Sequence, residues 1–306
     1  LAGTPEQVKK YVPNLLGGKT IGMMSLSETD SGSDALVAMK TFAKRLVIAA
    51  ATAALMVGAA HAHRAWSVPS ATVVSGDNAW VTVDAAVSNN LFFPDHRPMQ
   101  VEALTITAPD GSTVKPVNAS VGQYRTTFDL KLEQKGTYSI AQTGSGLNAS
   151  WKEGTETKRW RGSMAEYVAQ GIDKKPGVEL TLSNRRVETF VTNGAPTEVK
   201  LTGKGLELSG AHPNDLYSGE EVTFKLTDNG KPAANVEITL IQGGDRYREA
   251  PGEVVLKTGA DGSFKVKAAN AGMYWLEAEA RGEATMEGKT VKSMSTLVAV
   301  LEILPG

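Results

Sequence analysis

The 306-residue chain contains no cysteine and only four histidines. The absence of cysteine excludes disulfides, thiolate metal sites and thiol nucleophiles, so apolar cores must hold the fold together. Lysine and arginine total 32 against 33 aspartate and glutamate residues, which gives a formal net charge of −1. This balance provides no basic face for a polyanion, and we do not expect a nucleic-acid partner.

The sequence also lacks the short motifs of several common chemistries. It has no G-x-S-x-G nucleophile elbow, no G-x-x-x-x-G-K-[ST] phosphate loop and no H-E-x-x-H zinc helix. We therefore assign no catalytic residues, and a binding function is favoured over an enzymatic one.

An apolar segment inside the chain has the features of an export signal. From Met39 the sequence reads MKTFAKRLVIAAATAALMVGAAHA, in which basic residues precede an uncharged run from Leu46 to Ala60. A transmembrane helix needs roughly 20 apolar residues, and this run is shorter. We interpret residues 39–62 as a cleaved signal peptide, with an uncleaved anchor or a buried helix as the alternatives. The mature protein is then expected to be periplasmic or secreted, without a membrane span.

A sequence of a different kind precedes this signal. Residues 1–38 contain GTPEQ, KYVPNLLGGKTIG and SLSETDSGSDA, and they resemble part of the middle domain of acyl-CoA dehydrogenases. That resemblance implies a segment that contacts flavin and substrate, but 38 residues cannot bury a core of their own. Nothing downstream resembles the helical bundle of those flavoenzymes. We expect the segment to be a fusion, a misassembled reading frame or the product of a wrong start site, without activity.

The remainder of the chain has the alternating pattern of β-strands. NAWVTVDAAV (78–87) is an example, and turns rich in Gly, Asn and Asp separate such runs. The pattern predicts an all-β protein of two immunoglobulin-like antiparallel β-sandwich domains, residues 63–195 and 196–306, preceded by the signal helix. One short connecting helix is predicted where Ser163 and Glu166 have the spacing of a capping box.

Two of the four histidines, His61 and His63, lie where the predicted signal ends. Cleavage after Ala62 makes His63 the first residue, whose α-amino and ring nitrogens can chelate one metal ion. The pKa of that amine, roughly 7.7–8.0, lets a metal displace its proton near neutral pH. Cleavage after Ala60 places His63 third behind a free amine, a pattern that chelates copper or nickel in a square plane. The alternative is that both histidines are polar residues of a cleavage region without further function.

Two later segments supply further candidate ligands. NNLFFPDHRPM carries Asp95 and His96, and GAHPNDLYSG carries His212 and Asp215. The alternatives are a solvated loop histidine in the first segment and a capped turn in the second. The spacings are long, so a shared site requires the fold to bring His63, His96 and His212 together near the junction of the domains. Nitrogen-rich donors favour Cu(II) or Ni(II) over Mg or Ca.

Two stretches carry a resemblance to a known family. AHAHRAWSVPSATVVSGDNAWVTVDAAVSNNLFFPDHRPMQ and AHPNDLYSGEEVTFKLTDNGKPAANVEITL resemble exported proteins known as periplasmic components of cobalt/nickel uptake systems, and the likeness extends over residues 60–304. The resemblance implies two immunoglobulin-like sandwiches and a histidine at the mature terminus, which His63 matches. It also implies a membrane transporter as a partner, since the chain has no permease or ATPase sequence.

The working hypothesis is a periplasmic protein that binds nickel, cobalt or copper for uptake or delivery. A structural or adhesive sandwich module without a metal is the first alternative. The second is a copper-dependent redox enzyme, because a terminal histidine chelate with an open position can activate oxygen.

Overall fold

The computed structural model of the protein describes residues 63–306. His61, the predicted signal peptide and the dehydrogenase-like segment lie outside the described residues. Most of the described chain is β-strand, and its only α-helix is the short α1 (Met164–Ala169), which confirms the all-β prediction. Short 3-10 helices occur at Val101–Ala103, Ile172–Lys174 and Asp245–Tyr247.

Nineteen strands make up the described chain. In the first half they are β1 (Arg64–Pro69), β2 (Val73–Val74), β3 (Ala79–Ser88), β4 (Arg97–Pro98), β5 (Leu104–Thr107), β6 (Thr113–Val114), β7 (Val117–Val121), β8 (Thr126–Leu132), β9 (Gly136–Glu153), β10 (Glu156–Gly162) and β11 (Glu179–Asn193). In the second half they are β12 (Leu206–Gly210), β13 (Glu221–Asp228), β14 (Lys231–Pro232), β15 (Glu237–Gln242), β16 (Val254–Lys257), β17 (Ser263–Lys267), β18 (Gly272–Met286) and β19 (Lys289–Ile303).

The strands form three sheets. A five-stranded sheet has the order β1-β3-β8-β7, with β4 on β3, and a four-stranded sheet has the order β12-β13-β14, with β17 on β13. Between them runs a ten-stranded sheet of order β16-β15-β18-β19-β11-β9-β5-β6, with β10 on β9 and β2 on β11. The long sheet therefore contains strands from both halves of the chain.

Successive residues of a strand face opposite sides of its sheet, and the second half of β11, residues 187–193, is buried on both sides. Val187 packs in a core with Ala65 and Trp66 of the five-stranded sheet. Phe190 packs in a core with Phe224 of the four-stranded sheet. The ten-stranded sheet thus supplies one layer to each of two sandwiches, which are immunoglobulin-like in type.

The centre of the long sheet contains a parallel pair that the alternation pattern did not indicate. β11 pairs with β19 in parallel, from Thr181 opposite Lys292 to Thr189 opposite Val300. Parallel strands need a long crossover connection, and here the strands of the second half provide it. The predicted antiparallel pairing holds for most neighbouring strands, whereas β11 pairs in parallel with β19 and, at Thr192 and Asn193, with β2.

The predicted capping box is present at the start of α1. The Ser163 hydroxyl accepts a hydrogen bond from the Glu166 backbone N–H, and the Glu166 side chain accepts one from the Ser163 backbone. Tyr167 on α1 is buried against Trp151 of β9 and Ile172. The helix therefore covers one side of the β9–β10 hairpin.

The predicted domain boundary at 195–196 lies between β11 and β12. Residues 63–306 belong to one compact unit, and strands from both sides of that boundary hydrogen-bond within the long sheet. The two sandwiches are consequently joined by a shared layer.

Candidate metal-binding site

Two of the predicted ligands, His63 and His96, lie against each other. Their rings stack with centroids 3.6 Å apart and planes within 5° of parallel, and both side chains are exposed. The pairing follows from strand register, because β1 and β4 flank β3 on opposite sides. Arg64 lies opposite Ser88 and Arg97 lies opposite Val87, so the residue before each strand lies at the same end of β3.

The loop that carries His96 is anchored by a buried carboxylate of the second half. Asp245 is 7% exposed, and it accepts hydrogen bonds from the backbone N–H of Leu91 at 3.0 Å and of Arg246 at 3.0 Å. It also forms an ion pair of 3.3 Å with Arg64, the residue after His63. One carboxylate therefore restrains both the loop of His96 and the strand that follows His63.

The Arg64 guanidinium joins several groups at this end of the sandwich. It is 8% exposed, bonds Glu253 at 2.9 Å and lies 5.6 Å from the centre of the Trp275 ring. The Trp275 indole N–H donates to the Ala65 carbonyl at 2.9 Å. These contacts attach the start of β1, which directly follows His63, to β18 across the sandwich.

Two aromatic residues of the loop that carries His96, Phe92 and Phe93, contact residues from both halves of the chain. Phe92 has a left-handed φ of 65° and meets Trp66 edge to face at 5.8 Å. A side chain at Gly243 would come within 2.8 Å of the Phe92 ring, so that ring requires a glycine there. On the outer side, the Arg246 guanidinium lies 4.5 Å from the centre of the Phe93 ring.

Asp95 helps to close the loop. Its Oδ1 accepts the backbone N–H of Asn89 at 2.8 Å, and the residue is exposed beside His96. The carboxylate therefore has a structural contact within the loop, next to the histidine pair.

His212 lies elsewhere, at the opposite end of β1. Its Nδ1 accepts the Asn214 backbone N–H at 3.2 Å, which leaves Nε2 to donate to the Thr197 carbonyl at 2.9 Å. The Asn214 side chain donates to the Thr72 carbonyl, and β1 occupies the chain between His63 and Thr72. At about 3.3 Å per residue, that six-residue strand alone spans roughly 17 Å. His212 consequently does not join the histidine pair.

The environment of His212 is that of a structural residue. Burial lowers its pKa, while the hydrogen bond to the Thr197 carbonyl and the charge of Asp215 act in the opposite direction. Asp215 is exposed, and its backbone N–H donates to the His212 carbonyl at 3.2 Å. His212 and Asp215 thus belong to a turn, which is the alternative that the sequence left open for this segment.

The stacked rings set a limit on how they can bind a metal. An imidazole nitrogen binds through a lone pair in its ring plane, and two parallel planes 3.6 Å apart cannot contain the same ion. A shared ion therefore requires rotation of at least one exposed ring. Among residues 63–306 there is no group of three or more His, Asp or Glu side chains placed to hold a metal ion.

Several solved structures share limited similarity with the chain. A putative carbohydrate-binding protein from Pseudomonas aeruginosa is 15% identical over 34% of this chain and 83% of its own, with a TM-score of 0.21. A DUF4785 family protein from Legionella pneumophila is 10% identical over 69% of this chain and 50% of its own, with a TM-score of 0.22. The D0-D1 domain of intimin is 13% identical over 78% and 97%, with a TM-score of 0.19.

Comparison with curated protein sequences gives no significant match. Within the part of the chain that the structure describes, no helix combines the length and apolar character needed to cross a membrane. A family model described as a domain of unknown function, DUF4198, matches residues 60–282, which include the histidine pair and most of both sandwiches. The chain belongs to the DUF4198 family.

Proposed function

We propose that the protein binds a transition-metal ion, nickel, cobalt or copper, at His63 and His96 and acts outside the cytoplasm in its uptake or delivery. The observation that carries the proposal is the contact between these two imidazoles, which are 33 positions apart in the sequence. Both rings are exposed and therefore accessible to an ion from solvent.

The donor set suits these metals. Two imidazoles, with the α-amine of His63 after cleavage behind Ala62, supply three nitrogen donors. Nitrogen donors bind Cu(II) and Ni(II) well, and intrinsic affinity rises from cobalt through nickel to copper. Asp95 is an alternate oxygen donor beside the pair. A membrane transporter is the partner that an uptake role requires.

The proposal is tested by metal binding to protein that begins at His63. We expect His63→Ala and His96→Ala each to lower the affinity for Cu(II) or Ni(II) at least about tenfold, or about 1.4 kcal/mol. His212→Gln is the matched control and should leave the affinity unchanged. Protein with one additional glycine before His63 tests the amine, and it should bind more weakly than the free terminus.

The alternatives have their own outcomes in the same experiment. Equal affinity in all four variants contradicts the proposal and favours a sandwich module without a metal. Oxygen consumption by the copper-loaded protein with a reductant, lost in His63→Ala, favours the redox enzyme over a carrier.

A further inference from the structure

β1 and β3 pack on only part of one face of the ten-stranded sheet, and the rest of that face is not covered by them. Val187 lies under that cover, and by alternation Arg185 and Ser183 lie on the same face farther along β11. Their neighbours on β9 are Gly144 and Gly146. Because these two residues have no side chains, a strip of this face remains open.

Arginine side chains border the open strip. The Arg161 Nε lies 3.5 Å from the position that a Cβ of Gly146 would occupy, so its guanidinium reaches over that glycine. Arg159 and Arg161 also line an open cavity of about 420 Å³ along β9 and β10. On the other side of the strip, the Arg185 Nε is buried without a hydrogen-bond partner within residues 63–306.

Two further arginines, Arg97 and Arg161, act electrostatically on Arg185. Burial lowers the pKa of Arg185, and the positive charges of Arg97 and Arg161 lower it further, while Glu277 opposes them. Arg97 belongs to β4, which pairs with β3 above the long sheet. Arg97 lies opposite Val87, which packs in one core with Val187, so the Arg97 side chain is on the face of the five-stranded sheet that is turned towards the ten-stranded sheet.

The carboxylates near these arginines also interact with other cations, so they do not fully neutralise the arginine charges. Glu277 interacts with Arg64 as well as with Arg185, and burial raises its pKa. Glu279 is paired with Arg281 at 2.7 Å. Glu179, which lines the cavity with Arg159 and Arg161, is paired with Lys292 at 2.9 Å. Each of these carboxylates therefore already has another cationic partner, which leaves positive charge on the arginines for an anion to neutralise.

We propose that Arg97, Arg161 and Arg185 bind a small polyvalent oxyanion, either a polycarboxylate or a phosphate. The planar guanidinium matches the geometry of carboxylate and phosphate groups and bonds them through two N–H donors. The Arg185 side chain has to turn so that its Nε, which is buried and lacks an acceptor, reaches the anion. Since Arg97 directly follows His96, the anion lies beside the histidine pair, but its binding does not depend on a metal.

The test is calorimetric titration of metal-free protein with citrate and, separately, with inorganic phosphate at low ionic strength. We expect Arg185→Gln and Arg161→Gln each to lower the affinity for the anion that binds by at least about tenfold. Lys265→Gln is the control, because Lys265 pairs with Glu221 at 2.6 Å on the four-stranded sheet, away from these arginines, and should not contribute. The stronger of the two titrants identifies the class of anion.

Two results would overturn the anion site. One is the absence of saturable binding by both anions. The other is retention of full affinity in Arg161→Gln, whose exposed side chain can be removed without loss of the fold. His63→Ala should bind the anion as the unchanged protein does, so failure of the metal proposal and failure of this one give different results.

Discussion

The three histidines of the described chain occupy two kinds of environment. His63 and His96 are exposed and touch only through their faces, whereas His212 is half-buried with both ring nitrogens hydrogen-bonded. A residue with both nitrogens engaged by the backbone cannot accept a metal without breaking those bonds. The roles of the three residues therefore differ although their chemistry is the same.

We predict that His212 makes stability depend on pH. Because burial lowers its pKa from the usual 6.5, the unfolded chain takes up a proton before the folded protein does. Its contribution is therefore complete above the unfolded pKa and is lost as pH falls from that value through the lower, folded one. Urea unfolding of His212→Gln should show a shallower dependence on pH across this window than the unchanged protein. Identical slopes would contradict the assignment.

The buried carboxylate of Asp245 fixes the loop before β4. We predict that Asp245→Ala lowers the free energy of unfolding by about 3–5 kcal/mol, because it leaves the buried charge of Arg64 with one partner fewer and the Leu91 N–H unsatisfied. It should also weaken metal binding, since the loop then no longer places His96 beside His63.

Two controls separate these effects. Glu253→Ala removes the more exposed partner of Arg64 and should cost clearly less stability. Denaturant unfolding measures the first effect, and titration with Ni(II) at a temperature where the variant is folded measures the second. Unchanged nickel affinity in folded Asp245→Ala would show that the loop holds its position without this anchor.

Local sequence patterns predicted many of the individual strands and the helix, but they did not predict which strands pair with each other. The alternation of residues 78–87 predicts β3, and the spacing of Ser163 and Glu166 predicts the start of α1, because both depend on neighbouring residues. The parallel pairing of β11 with β19 depends on contacts more than a hundred positions apart. No local signal marks it.

The candidate site shows the same division. The sequence singled out His63 and His96 by their positions near the signal and in a proline-bounded loop. That they touch depends on β1 and β4 both pairing with β3, and that the loop is fixed depends on Asp245 from the other half. Asp245 lies in an unremarkable Gly-Gly-Asp turn, so its importance could not be predicted from local sequence.

For the whole molecule, the shared ten-stranded sheet makes the two sandwiches energetically dependent. β11 contributes Val187 to one core and Phe190 to another, so unfolding of either sandwich exposes one face of the same strand. Two domains joined only by a linker would lack this dependence. The physical consequence is coupling between the halves, which the pattern of strands and turns alone does not indicate.

We predict a single cooperative unfolding transition for residues 63–306. Phe128 in the first sandwich and Phe224 in the second are 1% and 0% exposed, and replacing either by alanine should cost about 3–5 kcal/mol. If the shared sheet couples the halves, each variant lowers the temperature of one calorimetric transition whose calorimetric and van't Hoff enthalpies agree. Two transitions, with Phe128→Ala shifting one and Phe224→Ala the other, would mean that the sandwiches unfold independently despite their common layer.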